Sequence, residues 1–338
     1  MRTSPPVDDA GVERGQFTEE YLVLLLSDSN LPTGGFVASS GLESFIQHGY
    51  LGPSSTPDPQ RGLVEFVQLS LDNYARLNST IVKRTHRIVE SFRTRWRQQR
   101  SDALGDNDDE NKDEEDVVVS RLLEWDRIAE DMMLNQISKR SSIAQGNALL
   151  SLYSRALAPL PTATSDREEL AVACLVEKVR SEVRKGGTIE GWRGHQSSSF
   201  GIVMAAVGLS LERSLHLFLF LHARSILSSA VRLNVIGPYS AHRLLLWDVR
   251  RLVEKAIAKE IDFDGKDETE RGSDEAMSQT EDKRDWWDDD PDWQFAAPKA
   301  SSSRDGRSSN KEQPVTTWPL GEIVASRHDQ LFTKVFNS

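Results

Sequence analysis

Apolar residues recur at helical spacing along most of the chain. Thr18 can cap a helix whose first turn carries Glu19 and Glu20 and whose body, Tyr21 to Leu26, is apolar. Pro32 and the pair Gly34-Gly35 end or bend it. Ser40 and Glu43 stand at capping-box spacing, which predicts a second short helix running to Gly49 with Leu42, Phe45 and Ile46 on one face. After the loop GPSSTPDPQ, Leu63, Phe66, Val67, Leu71, Tyr74, Leu77, Ile81 and Val82 keep an i, i+3, i+4 rhythm. The long helix they predict runs on into FRTRWRQQR. Val117 to Leu157 predicts further helices, and Glu169 to Val183 another. From Ser199 the sequence is apolar almost all round, FGIVMAAVGLSLERSLHLFLFLHARSILSSAVRLNVIG, as befits helices in the middle of a bundle. Gly208 and Ser210 divide that stretch, Gly237-Pro238 closes it, and YSAHRLLLWDVRRLVEKAIAKEI returns to amphipathic spacing. No alternating strand pattern of useful length and no fixed-period repeat occurs.

Charge divides the chain further. Of its 338 residues, the stretch Asp102 to Asp116 holds nine acids against one base, and Asp262 to Asp292 fourteen against four. These blocks together carry −18 in a chain whose net charge is −11, so the remainder is mildly basic, about +7. Dense like charge with few aliphatics cannot repay the entropy of ordering, and both blocks read as disordered insertions. The second contains Trp286, Trp287, Trp293 and Phe295, residues a plain spacer does not need. The expected architecture is all-α: one helical-bundle domain at 17–261, interrupted at about 101–116. A disordered N-terminus at 1–16, an acidic insertion at 262–316 and a C-terminal tail at 317–338 complete it.

The residues offer little chemistry. The Gly34-Gly35 loop lacks the Lys-Ser or Lys-Thr of a phosphate loop, and no strand precedes it. Ser39-Ser40 and Ser197-Ser198-Ser199 have no nucleophile elbow. The seven histidines, at 48, 86, 195, 216, 222, 242 and 328, include no His-x-x-x-His pair. Cys174 is alone and sits among Val172, Ala173, Leu175 and Val179, which predicts a buried structural thiol. Arg93, Arg95, Arg97 and Arg100 with Trp96 suggest a nucleic-acid patch, but a solvated helix end neutralised by the neighbouring acidic linker accounts for them better. The N-terminus has no signal-peptide pattern, and the apolar stretch after Ser199, broken by Glu212, Arg213, His216 and His222, falls short of a membrane span. A cytoplasmic protein with neither nucleic acid nor membrane as partner is the expectation.

Several segments in one order resemble the urease accessory protein UreF family. Leu31, Pro32, Gly34, Gly35, Phe36, Ser39, Gly41, Leu42 and Glu43 are similar to its N-terminal signature, with Val37-Ala38 departing from it. Arg140, Gln145, Gly146 and Leu149-Leu150 resemble its central helix. His195 with Phe200-Gly201 resembles a His-x-Pro-x-x-x-Gly region, Ser197 replacing the proline. Ser228 to Leu245, with Arg232 and Gly237, matches closely. The ending resembles the family's through Arg327, His328, Lys334, Val335, Phe336 and Ser338, where Lys334 stands for the more usual arginine.

The resemblance implies a non-enzymatic, homodimeric chaperone that scaffolds a complex with UreD (UreH in some systems) and the GTPase UreG for GTP-dependent nickel insertion into apo-urease. Nickel and GTP would bind UreG and not this chain. Partner contacts would fall on Pro32, Gly34, Gly35, Phe36, Gly41, Glu43, His195, Arg232, Arg327, His328, Lys334 and Phe336. Two other readings stay open: a helical, metal-assisted enzyme using His195 and His328, and a helical adaptor acting through its acidic tryptophan-bearing segment.

Overall fold

Helix α3, Pro59–Gln99, is 41 residues long and organises the fold. Asp58 caps it through Gln60 N at 2.9 Å, and Pro59 occupies the first turn, where a missing N–H costs nothing. In the computed structural model, which describes residues 19–28, 31–51, 58–99, 108–159, 166–186, 192–269 and 316–336, every regular element is helical. Two short helices precede it, α1 (Glu19–Leu26) and α2 (Leu42–Gln47). After it come α4 (Asp108–Met132), α5 (Gln136–Leu152), α6 (Arg167–Gly186), α7 (Gln196–Ala206) and α8 (Leu211–Arg232). A continuous rod follows, made of α9 (Pro238–Leu244), a π turn at Leu245–Val249 and α10 (Arg250–Thr269); α11 (Pro319–Ser326) completes the set. Residues 1–260 and 314–338 form one compact unit; of the second unit, 261–313, the described part is the end of α10.

The all-round apolar stretch becomes the centre, as its pattern predicts. Every residue of α7 from Ser197 to Ala206 is buried, and α7 packs against α3, α5, α4 and α6. Helix α8 is long and apolar enough to cross a bilayer, contrary to the sequence expectation, yet more than half of its most apolar stretch is buried inside this bundle. The close approach of α5 to the chain entering α7 explains Gly146: a Cβ there would lie 2.2 Å from the Gly194 carbonyl oxygen and 2.6 Å from the His195 backbone.

That entry is held by buried carboxylates. Asp126 on α4 accepts from the backbone N–H groups of Arg193 (2.7 Å), Gly194 (2.9 Å) and His195 (2.7 Å), and from Ser198 Oγ. It thus satisfies three donors just ahead of α7, and the first N–H of α7 itself, that of Gln196, donates to Ser142 Oγ on α5 at 3.0 Å. His195 is 0% exposed; its Nε2 meets Glu130 Oε2 at 2.8 Å and its Nδ1 meets Ser142 Oγ at 3.2 Å. Burial alone would raise the Glu130 carboxyl, but hydrogen bonds from Lys139 and His195 outweigh it and hold it below the usual range.

Several sequence expectations change. Helix α4 begins at Asp108, inside the stretch expected to lack structure, and α10 runs to Thr269 inside the other. Carboxylates near a helix start are favoured by the dipole, and Lys178 of α6 pairs with Glu115 at 2.5 Å and Asp116 at 3.3 Å. Cys174 is exposed, because the buried stripe of α6 runs through Val172, Leu175, Val176, Val179 and Val183 and leaves position 174 on the other side. Two of the arginines at the α3 end, Arg93 and Arg97, are engaged away from the acidic linker. Arg93 is buried and donates to the Ala206 carbonyl at 2.7 Å, and Arg93 and Arg97 both pair with Glu168 in the first turn of α6. Thr18, Arg100, the tryptophans at 286, 287 and 293, and Phe295 lie outside the described residues.

Two consequences are measurable. Gly146→Ala forces the 194–195 backbone away from α5 and should cost about 1–3 kcal/mol in denaturant unfolding. The lowered Glu130 carboxyl contributes stability that is fully present above its unfolded value, about 4.3, and is lost as pH falls through its lower folded value. Unfolding free energies from pH 7 to pH 3 should therefore fall more steeply for the parent chain than for Glu130→Gln.

Candidate functional site

The loop between α1 and α2 turns sharply. Gly34 has φ +74°, a short 3-10 turn spans Gly35–Val37, and Ser40 (φ +52°) and Gly41 (φ +82°) carry the chain into α2. Gly41 is required twice over, because its left-handed backbone is costly for other residues and a Cβ would lie 2.9 Å from that of Ala325. The capping box predicted from Ser40 and Glu43 is not formed: α2 starts from Gly41 without a side-chain cap.

Glu43 turns inward instead, 1% exposed, and binds the C-terminal tail. Its Oε1 accepts from Val335 N at 2.6 Å, and its Oε2 accepts from Phe336 N at 3.1 Å and His328 Nε2 at 2.9 Å. His328 is equally buried, and its Nδ1 has no hydrogen-bond partner among the described residues. Around this carboxylate further bonds join the same two segments. Ser44 Oγ donates to the Val324 carbonyl at 2.5 Å, and Gln47 Nε2 donates to the Thr333 carbonyl at 2.8 Å. Arg232, at the end of α8, donates to the Phe36 carbonyl and lays its guanidinium 4.5 Å from the centre of the Phe336 ring.

The tail is also clamped where it re-enters the fold. Asn73 on α3, 7% exposed, accepts from Thr316 Oγ1, Thr317 N and Trp318 N at 2.8–3.2 Å and donates to Glu322 Oε1 at 2.7 Å. Asn135 caps α5 through Ile137 N and Ser138 N and gives its amide to Glu322. Trp318 packs against Phe45 and Phe66. Sequence reading missed Asn73, Asn135 and Glu322. A signal existed for Asn73, a polar residue beside the apolar row of Leu71, Tyr74 and Leu77.

The twelve residues singled out from sequence thus separate into two groups. Glu43, His328 and Phe336 are buried at the loop–tail junction, and His195 is buried elsewhere, in the α4–α5–α7 interior. These four shape the fold and offer a partner no surface while the tail is seated. Pro32, Phe36, Arg232, Arg327 and Lys334 are exposed, Phe36 by 59%, and Gly34, Gly35 and Gly41 are half-buried between them. Lys334 folds back on Asp329, donating to its carbonyl at 3.0 Å. Asp329 also accepts from Arg140 at 2.6 Å, a hydrogen bond that holds its carboxyl below the usual range. His195 and His328 share no partner, and among the described residues no group of three or more His, Cys, Asp or Glu is placed to hold a metal ion.

What the arrangement can do is present a surface. Phe36, Leu134, Ile323, Phe332 and Val335 are large apolar side chains left exposed around the joined loop and tail, with Arg232, Arg327 and Lys334 beside them. Exposed apolar side chains gathered at one place and rimmed by charge mark an interaction site more often than a catalytic one. Glu43→Ala should leave His328 and two backbone N–H groups buried without an acceptor. The expected result is early cleavage of the tail after residue 316 in limited proteolysis, with a loss of about 3–5 kcal/mol in tail docking.

Comparison with known proteins places these features in context. The family model UreF matches residues 59–247. The chain is 34% identical over 344 residues to "Urease accessory protein 6" of Cryptococcus neoformans var. grubii, covering 95% of this chain and 97% of that protein. It is 28% identical over 222 residues to an "Uncharacterized urease accessory protein UreF-like" of Schizosaccharomyces pombe, covering 66% and 75%. It is 27% identical over 253 residues to "Urease accessory protein F" of Oryza sativa subsp. indica, covering 74% and 77%.

Proposed function

This chain belongs to the UreF family and has a role in urease maturation, and from that premise we propose that it is a non-enzymatic chaperone acting by position. As a cytoplasmic homodimer it holds the scaffold UreD (UreH in some systems) and the GTPase UreG in one complex, in which GTP hydrolysis is coupled to nickel insertion into apo-urease. Nickel is the cargo of the complex. It and the nucleotide are carried by UreG, and this chain supplies the surface that orders the assembly.

One observation carries the reading: the N-terminal loop and the C-terminal tail, nearly 300 positions apart, are tied by Glu43 into a single face that exposes Phe36 and Lys334. A surface made this way is preorganised, so a partner that docks on it does not spend binding energy on ordering either segment. Phe36 supplies an aromatic anchor of the kind that dominates interface energetics, and the neighbouring cations favour an acidic partner patch.

The experiment is co-purification of the chain with UreD and UreG, followed by urease activation with nickel. Phe36→Ala should weaken capture of UreG by about tenfold or more, and Lys334→Ala by a few-fold. Helical content by circular dichroism should stay at the parent level in both. Unchanged capture and unchanged activation by both variants would remove these residues from the partner site.

A further inference from the structure

A cavity of about 760 Å³ lies beneath the N-terminal loop, walled by α3, α5, α7, α8 and α11. That volume falls within the range of small-molecule sites. Exposed Phe36, Leu134 and Ile323 stand among its lining residues and mark the mouth, while Leu77, Phe200 and Met204 give apolar walls. At the floor, Tyr74 and His222 stack face to face, ring centres 3.8 Å apart and planes 4° from parallel. Tyr74 donates its hydroxyl to Gln196 Oε1 at 3.2 Å, and His222 Nε2 meets Ser70 Oγ at 3.0 Å.

Three polar groups of the lining keep unused capacity after those bonds. His222 Nδ1, the side-chain nitrogen of Gln196 and the side-chain oxygen of Asn78 have no protein partner among the described residues. Water can pair with such groups in an open cavity, and a ligand whose polar head reproduces those bonds can displace it while its apolar part covers the walls. Charge narrows the choice. Arg224 is engaged with the Ser27 carbonyl, Arg232 with the Phe36 carbonyl and Glu322 with Asn73 and Asn135. Burial pushes the His222 imidazole down to about 3 and raises the Tyr74 hydroxyl, so both rings are uncharged near neutrality. The carbonyl and amide bonds leave the charges of Arg224, Arg232 and Glu322 in place. The polar groups beside the Tyr74–His222 stack, Ser70, Asn78 and Gln196, are neutral, however, so an ion seated at the floor would lose its hydration without a countercharge hydrogen-bonded to it.

We propose that this cavity binds a small uncharged molecule, mostly apolar, whose amide- or hydroxyl-type head pairs with His222, Gln196 and Asn78. The mouth shares Phe36, Leu134 and Ile323 with the partner surface argued above, while the floor at Tyr74 and His222 is distinct from it.

The neutral fluorophore N-phenyl-1-naphthylamine serves as the probe on the full chain, with octanamide and octanoate as competitors of equal length. The expected result is saturable binding at one site, displaced by octanamide and not by octanoate. Leu77→Phe and Ser141→Phe fill the cavity from α3 and α5 respectively, and each should weaken probe binding by about tenfold or more, a change readily resolved in a titration. His222→Phe keeps the ring stack and removes the ring nitrogens. Measured against the probe's own affinity in this variant, octanamide competition should weaken by about tenfold, and this variant decides the question if the filled ones fail to fold. Probe binding that never saturates, or that survives both filling substitutions, overturns the site. Displacement by octanoate as effective as by octanamide, or octanamide competition untouched in His222→Phe, overturns the neutral head.

Discussion

Glu43 can be buried only because the end of the chain comes to meet it. A carboxylate withdrawn from water needs several donors at short range, and here His328 and the backbone N–H groups of Val335 and Phe336 provide them. The arrangement constrains both sides at once. The loop of Pro32, Phe36 and Gly41 takes its shape with Arg232 bridging from its carbonyls to the Phe336 ring, and α11 packs on α2 so closely that position 41 has no room for a side chain. Everything the exposed face presents therefore depends on one interior contact between two distant segments.

The same economy recurs deeper in the bundle. Asp126 gathers three successive backbone donors at the entry to α7, and His195 is locked between Glu130 and Ser142. Asn73 and Asn135 do the equivalent for the returning tail. Each of these polar residues bonds to an element other than its own, Asn135 in addition to capping α5. A bundle of apolar helices has many nearly equivalent packings, and polar networks of this kind select one of them because the alternatives strand a buried donor or acceptor.

How much of this was legible in the sequence depends on the range of the interaction. The helices of α3, α7, α8 and α9–α10 are local in origin, and the spacing of Leu63 to Val82 or the largely apolar run after Ser199 carries them directly. The breaks at Gly208 and Gly237-Pro238 fall where their backbone chemistry puts them. Misreadings arose where a residue's partner is remote. Ser40 and Glu43 have the spacing of a cap, but local spacing cannot register that a histidine 285 positions later competes for the carboxylate. Arg93 and Arg97 looked like partners of the adjacent acidic stretch because Glu168 is distant in sequence and close only in space. Cys174 was judged by its neighbours along the chain, whereas on a helix those neighbours point elsewhere. The loop and tail motifs were recognised as important from resemblance, yet their physical union appears only when α2 and α11 are seen side by side.

The Glu43 junction also sets an order of events during synthesis. Since its donors come from residues 328, 335 and 336, the loop around Phe36 emerges early but has nothing to close on until those residues have been made. A chain interrupted between residues 270 and 327 contains α3, α7 and α8 but leaves the loop without its clasp. The loop thus takes its clasped form only in a chain that extends through residue 336.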